Sequence, residues 1–181
     1  MFANTPTAYA PLFKLLHWLM AITIITLIGV GIYMTGLPED APNRMGIYGL
    51  HKSMGVLAFL LIVVRLLWIS GSRPPPLPGV FDAREQMIIK GIKTILYLLM
   101  VSIPVSGYTM STAAGYPVPF FGLFELPKLI AENEAIAEFA HEMHEILGYT
   151  MILFILLHAA GAIKHRIKDK GGERDILARM L

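Results

Sequence analysis

Long apolar segments separated by short polar ones dominate the chain. Leu15 to Pro38 contains no charged side chain, and Ile146 to Ile163 is equally free of charge. A helix needs about 20 residues to cross the hydrocarbon core of a bilayer. We therefore predict an all-α integral membrane protein with four spans. Their approximate bounds are 12–37, 48–70, 91–112 and 142–165, within a single membrane domain that covers residues 1–181.

Helix-breaking residues divide this pattern. The segment Ser72 to Pro78 contains four prolines, and proline both lacks an N–H donor and clashes with the preceding turn of a helix. It therefore separates the second span from the third. Within the third span, Pro104 and Gly107 predict a kink, which neighbouring helices can accommodate in a membrane.

Basic residues lie mainly on one side of the predicted membrane. That side holds Arg73, Arg84, Lys90, Lys93, Lys164, Arg166, Lys168, Lys170, Arg174, Arg179 and Lys14, whereas the other side holds only Arg44 and Lys128. Basic residues near the ends of spans stay on the cytoplasmic side. We expect a multi-pass protein of the bacterial inner membrane with both termini in the cytoplasm.

The amino-acid composition limits the classes of partner and cofactor that the chain could bind. Charged residues make up 15% of the chain, against about 25% in typical soluble domains, and the mean hydropathy is +0.61. The net charge of +2 gives no reason to expect nucleic acid as a partner. The absence of cysteine excludes thiolate metal sites, iron–sulfur clusters and covalent c-type haem.

Four of the six histidines lie inside the predicted spans at two depths. His144 and His158 are 14 residues apart on the fourth span, which places them within about 40° of one helix face and about 21 Å apart along it. His51 begins the second span at the outer side, and His17 begins the first at the inner side. We therefore expect two bis-histidine sites, His51 with His144 and His17 with His158, each able to hold the iron of a haem.

Small residues near the histidines favour a flat cofactor, rather than a bare metal ion, as the occupant of these sites. Each of the four histidines has glycine or alanine four positions later: Ala21, Gly55, Gly148 and Ala162. Residues at i and i+4 lie over one another on a helix surface. A small residue there leaves room for a macrocycle against the backbone.

The remaining charged and ligating residues suggest weaker roles. Lys14, Lys52 and Arg65 are expected to snorkel towards the membrane surface, and Lys52 and Arg65 are candidates for contacts with haem propionates. His141 and His144 with nearby glutamates offer a weak zinc signal, since His-Glu-Met-His lacks one residue of the zincin motif. His165 reads as part of a solvated basic end.

Several motifs resemble the prokaryotic cytochrome b561 family. They are His17-Trp18, Leu50-His51-Lys52-Ser53-Met54-Gly55, Arg65-Leu66-Leu67-Trp68, Ser106-Gly107-Tyr108, Phe121-Gly122, His144, Leu157-His158-Ala159-Ala160 and Ala162-Ile163-Lys164-His165. The similarity extends along essentially the whole chain. It implies a four-helix bundle with two b-type haems, ligated by His17 with His158 and by His51 with His144. Members of the family exchange electrons with quinone, ubiquinone among them, and one oxidises superoxide.

Together these features predict a di-haem oxidoreductase of the respiratory chain type. It would carry electrons between an outer-face donor, for which superoxide is one candidate, and the quinone pool. Bis-histidine ligation leaves no open position on iron, which favours electron transfer over oxygen binding. Two alternatives stay open: the cytochrome b anchor subunit of a larger dehydrogenase or hydrogenase, and a non-redox membrane transporter or structural protein. The donor, the quinone pocket and the relative haem potentials are not fixed by sequence.

Overall fold

Four long helices make up most of the protein in the computed structural model, which describes residues 3–5 and 8–181. The helices are α1 (Pro11–Thr35), α2 (Arg44–Gly71), α3 (Ala83–Ala113) and α4 (Glu134–Lys168), and a small hairpin of β1 (Pro119–Phe120) and β2 (Phe124–Glu125) precedes α4. All four helices are long and apolar enough to cross a membrane. The predicted four-helix membrane fold is confirmed.

α2, α3 and α4 extend beyond the predicted spans at both ends, whereas α1 ends two residues before its predicted end. α3 begins at Ala83 and α4 at Glu134, each eight residues before the predicted start of its span. In front of α3, the Asp82 carboxylate accepts a hydrogen bond from the Glu85 N–H at 2.8 Å and the Glu85 side chain accepts one from the Asp82 N–H at 3.2 Å, which is a capping box. Charge-free windows detect the apolar part of a helix, whereas caps set where the helix begins.

Packing between the helices is uneven. α3 packs along α4, α1 along α2, and α2 along α3. Over the residues described, α4 makes no comparable contact with α1 or α2. A buried cluster of Leu16, Met20 and Ile62 joins α1 to α2. A gap therefore separates α4 from the α1–α2 pair, and this gap contains the predicted sites.

The loop between α3 and α4 is anchored to the start of α2. The hydroxyl of Ser53 donates to the Pro119 carbonyl oxygen at 3.0 Å and accepts from the Phe121 N–H at 3.0 Å. Ser53 is buried. The hairpin is thus fixed against α2 at Ser53, two residues after His51.

The C-terminal segment folds back under α1. The carboxylate of Asp175 accepts hydrogen bonds from the Gly171 N–H at 3.0 Å and the Ala178 N–H at 3.0 Å, and it pairs with Arg166 at 3.2 Å. The bond from Gly171 is the main reason that the pKa of Asp175 lies below its usual value. At the end of the chain, the Trp18 indole N–H donates to the Met180 carbonyl oxygen at 2.9 Å.

Candidate haem sites

The four predicted histidines form two pairs with equal spacing. The ring centres of His17 and His158 are 6.3 Å apart with an interplanar angle of 64°, and those of His51 and His144 are 6.3 Å apart at 78°. A bond between a metal ion and an imidazole nitrogen is about 2.0 Å, and that nitrogen lies about 1.1 Å from the ring centre. Two imidazoles on opposite sides of one ion therefore have their centres about 6 Å apart, so both pairs have the required spacing.

The two pairs lie at two depths in the bundle. His144 and His158 on α4 are separated by 14 residues, which corresponds to about 21 Å of helix. We call the end with His51 and His144 the outer end and the end with His17 and His158 the inner end, after the orientation that the basic residues predict. Each histidine of α4 meets a partner from a different helix.

A backbone carbonyl holds the His144 ring from α3. His144 Nδ1 lies 2.9 Å from the Ile103 carbonyl oxygen and 3.1 Å from the Ser106 hydroxyl oxygen. A carbonyl can only accept, so the hydrogen of this ring sits on Nδ1 and Nε2 keeps its lone pair. Histidines that bind metals usually donate their other N–H in this way. The equivalent Nδ1 of His51 is buried and has no partner among the described residues.

Two glycines allow the outer histidines to lie against neighbouring helices. A Cβ on Gly107 of α3 would be 2.9 Å from Cε1 of His144, and one on Gly31 of α1 would be 3.3 Å from Cε1 of His51. The first distance is shorter than real Cβ contacts permit, and the second is tight. Gly107 is therefore required for the observed position of His144.

A cavity of about 440 Å³ adjoins the outer pair. His51 and Gly55 line it from α2, and His144 and Gly148 line it from α4. A Cβ on Gly55 or Gly148 would meet nothing within 4 Å, so both positions keep space open beside the rings. The paired imidazoles, the orphaned Nδ1 of His51 and this space fit a haem.

Residues seven positions apart on each helix, or about two turns, lie in three successive layers of the bundle. The two histidine pairs belong to the outer and the inner layer. The outer layer is Gly31, His51, Gly107 and His144; the middle layer is Ile24, Ala58, Met100 and Met151; the inner layer is His17, Arg65, Lys93 and His158. All four residues of the middle layer line the cavity. The apolar middle layer therefore lies between two polar layers.

Comparison with known proteins shows which family the chain is similar to. The chain matches the prokaryotic cytochrome b561 family over residues 8–181. It is also similar to Cytochrome b561 homolog 2 of Escherichia coli (strain K12), with 35% identity over 187 residues that cover 99% of this chain and 94% of the relative.

The chain belongs to the prokaryotic cytochrome b561 family. It is a multi-pass membrane cytochrome of the b type that functions in electron transfer, and the family implies haem b as its cofactor. The suspected family resemblance is thus confirmed. We expect it to lie in the lipid bilayer and to exchange electrons with redox partners.

Arg65 of this cytochrome b561 does not snorkel, and that prediction is wrong. Its side chain is buried, with 8% exposed. Nε donates to the Tyr97 hydroxyl oxygen at 3.0 Å, and the guanidinium carbon lies 4.3 Å from the ring centre of Phe13. These two aromatic side chains hold the arginine inside the bundle, so it does not reach the membrane surface.

The other predicted residues occupy varied positions. The Lys52 ammonium donates to the Pro117 carbonyl oxygen at 3.0 Å, and the Lys14 ammonium donates to that of Leu181 at 2.7 Å. Ala21 and Ala162 are half-buried, one turn from His17 and His158. Of the two remaining histidines, His141 lines the cavity, and His165 packs against Phe81 with ring centres 5.0 Å apart.

Sequence analysis missed the residues that support the histidines. Gly107 was predicted only as part of a kink and Ser106 only as part of a family motif, and neither these residues nor Gly31 were predicted to contact a histidine. A signal was present, because Gly31 follows His17 by 14 residues and Arg65 follows His51 by the same interval. This spacing is the one that relates His144 to His158, so applying it to all four helices would have revealed the layers.

Proposed function

We propose that this cytochrome b561 holds two b haems, one between His51 and His144 and one between His17 and His158. The observation that supports the proposal most strongly is the ring spacing of 6.3 Å in both pairs. Haem b supplies a one-electron Fe(III)/Fe(II) couple at each site. A haem held by two imidazoles would have no open coordination position, so the chemistry it would supply is electron transfer rather than ligand binding.

The surrounding residues position the ligands and make room for the macrocycles. Ile103 and Ser106 hold the His144 imidazole with Nε2 free to bind iron. Gly31 lets the His51 ring lie against α1. The small residues one turn beyond each ligand make room for the macrocycle: Ala21, Gly55, Gly148 and Ala162.

Two cations are candidates for binding haem propionates. Arg65 lies at the inner level, and its buried Nη1 has no partner among the described residues. Lys52 lies at the outer level, where its ammonium bonds to the Pro117 carbonyl oxygen. An ammonium has three N–H donors, so Lys52 retains capacity for a carboxylate.

The electron path we propose runs between an outer-face donor and the quinone pool. The distribution of basic residues supports an inner-membrane protein with both termini in the cytoplasm. With that orientation the His51–His144 site faces the outer side and receives the electron, superoxide being one candidate donor. The apolar middle layer excludes water between the two sites and keeps the local dielectric low.

Anaerobic spectroscopy of the purified cytochrome tests the quinone assignment. Ubiquinol added to the oxidised protein should produce the reduced α-band, and ubiquinone added to the dithionite-free reduced protein should remove it. In separate, air-equilibrated samples, superoxide from an enzymatic source should also reduce the haem, and superoxide dismutase should abolish that reduction. If neither quinol nor quinone changes the spectrum, the quinone part of the proposal is wrong. His165→Ala, which changes a ring that packs against Phe81 and does not line the cavity, is a control that should respond as the wild type does.

A further inference from the structure

The inner layer contains a buried positive charge without an anion. Arg65 bonds to the Tyr97 hydroxyl and lies over the Phe13 ring, and its Nη1 atom is buried without a hydrogen-bond partner among the described residues. In that part of the chain, none of the ion pairs includes Arg65. The buried carboxylate of Asp175 pairs with Arg166 instead.

Such a charge requires compensation. Guanidinium stays protonated in proteins, and burying it without an anion costs several kcal/mol. Within a membrane span, charged side chains are therefore normally paired or turned towards a polar cavity. Tyr97 and Phe13 are neutral, so they orient the guanidinium but do not neutralise it. Arg65 therefore requires an anion close to its guanidinium.

We propose that Arg65 is the counter-charge of a propionate carboxylate of the inner haem and that it raises the midpoint potential of this haem. The proposal rests on the two-haem function proposed above. Tyr97 and Phe13 act as positioning residues, since they fix the guanidinium at the level of His17 and His158. Arginine suits this role because its planar N–H groups match a carboxylate.

The two layers differ in charge. Beside its histidines the inner layer contains Arg65 of α2 and Lys93 of α3, whereas the outer layer contains the neutral Gly31 of α1 and Gly107 of α3. Lys52, the cation next to His51, is bonded to the outer loop through Pro117. Reduction adds one negative charge to a haem, so a nearby cation stabilises the reduced form. The charge of Arg65 therefore raises the midpoint potential of the inner haem.

Redox titration of the purified holoprotein tests this proposal. Arg65→Met removes the charge and keeps an apolar side chain of similar length. We expect the midpoint potential of the inner haem to fall, with about a tenfold lower ratio of reduced to oxidised haem at a fixed potential. For a one-electron couple this corresponds to about 59 mV. The outer haem should titrate as before.

Single-haem backgrounds assign each titration step. In the His144→Ala background, which keeps the inner haem, R65M should shift the potential. In the His158→Ala background, which keeps the outer haem, R65M should leave it unchanged. Arg65→Gln decides the result if R65M fails to retain the inner haem. Arg65→Lys, which preserves the charge, should shift the potential less than either neutral variant.

Lys14→Met is the matched control. Lys14 is also close to His17 in sequence, but its ammonium is exposed and bonds to the Leu181 carbonyl oxygen. Solvent screens such a charge, so we expect no measurable shift. The proposal is overturned if the neutral Arg65 variants leave the inner potential unchanged, or if they shift the outer haem equally. A wild-type protein with one haem or none would instead contradict the two-haem function itself.

Discussion

Gly107 of α3 lies so close to His144 of α4 that a Cβ on the glycine would be 2.9 Å from the imidazole Cε1. The ring is held there by the Ile103 carbonyl oxygen, 2.9 Å from Nδ1. The close packing of α3 on α4 thus fixes one histidine of the outer pair. A methyl group at this glycine would have to displace the ring or separate the helices.

Gly107→Ala should therefore impair the outer haem site. We expect at least a roughly tenfold loss of haem affinity there, because ligands held 1 Å out of place lose most of their complementarity. Haem quantification and the amplitude of the outer titration step measure it. Gly91→Ala on the same helix is the control, since a Cβ on Gly91 meets nothing within 4 Å and its haem content should stay normal. Normal outer-site occupancy in G107A would contradict the proposed role.

Ser106→Ala should have a smaller effect at the same site. The hydroxyl lies 3.1 Å from His144 Nδ1, but the Ile103 carbonyl remains as an acceptor. Loss of a residue that orients a ligand typically costs 10–100-fold in metal affinity, and we expect about the lower limit. Haem transfer to apomyoglobin measures the change as faster loss of one haem. Equal rates for both haems in S106A would speak against this role.

Asp175 should hold the C-terminal segment closed at neutral pH. Its pKa is below the usual value, mainly because of the bond from the Gly171 N–H. A carboxylate with a depressed pKa stabilises the fold above its unfolded pKa of about 3.9 and loses that contribution as pH falls through the folded value. Protection of the Gly171 and Ala178 amides, corrected for intrinsic exchange rates, should therefore persist at pH 5 and decline only below about pH 4.

Asp175→Asn gives the complementary result at neutral pH. It removes the charge that pairs with Arg166 at 3.2 Å, so trypsin should cleave after Lys170 faster than in the wild type. Asp40→Asn, which changes a carboxylate in the loop between α1 and α2, serves as the control and should leave this cleavage unchanged. Identical cleavage in D175N and the wild type would show that the carboxylate does not hold the segment.

The absence of cysteine permits a direct test of orientation. We expect a cysteine placed by Lys128→Cys to react with an impermeant maleimide in intact spheroplasts, because the loop between α3 and α4 faces outwards in the proposed topology. Lys170→Cys should react only after the membrane is opened. Reversal of the two patterns would invert the orientation. Haem content confirms that each variant is folded.

The sequence was sufficient to predict the four helices and which histidines lie close together. Apolar runs predicted the four spans, and the spacing of 14 residues on α4 predicted which histidines would meet; the structure brings those histidines together. Both results depend on the spacing of residues along a single helix, which can be taken directly from the sequence. The helix starts were less accurate because the caps at Asp82 and Asn133 lie outside the apolar runs.

The contacts between helices could not be predicted from the sequence. Arg65 resembled other basic residues near span ends, and only its packing against Tyr97 and Phe13 shows that it is buried. Likewise, Gly107 looked like a helix-kinking residue until the position of His144 was known. Which faces of two helices meet depends on packing of the whole bundle, and hydropathy gives no measure of it.

Haem quantification in double variants tests the central pairing most directly. The wild type should contain two haems per chain, and so should the control His165→Ala. Removing both members of one pair, by His51→Ala with His144→Ala, should leave one haem. Removing one member of each pair, by His51→Ala with His158→Ala, should leave none. A wild type with a single haem, or a His51/His158 double variant that keeps one haem while the His51/His144 variant keeps none, would contradict the account.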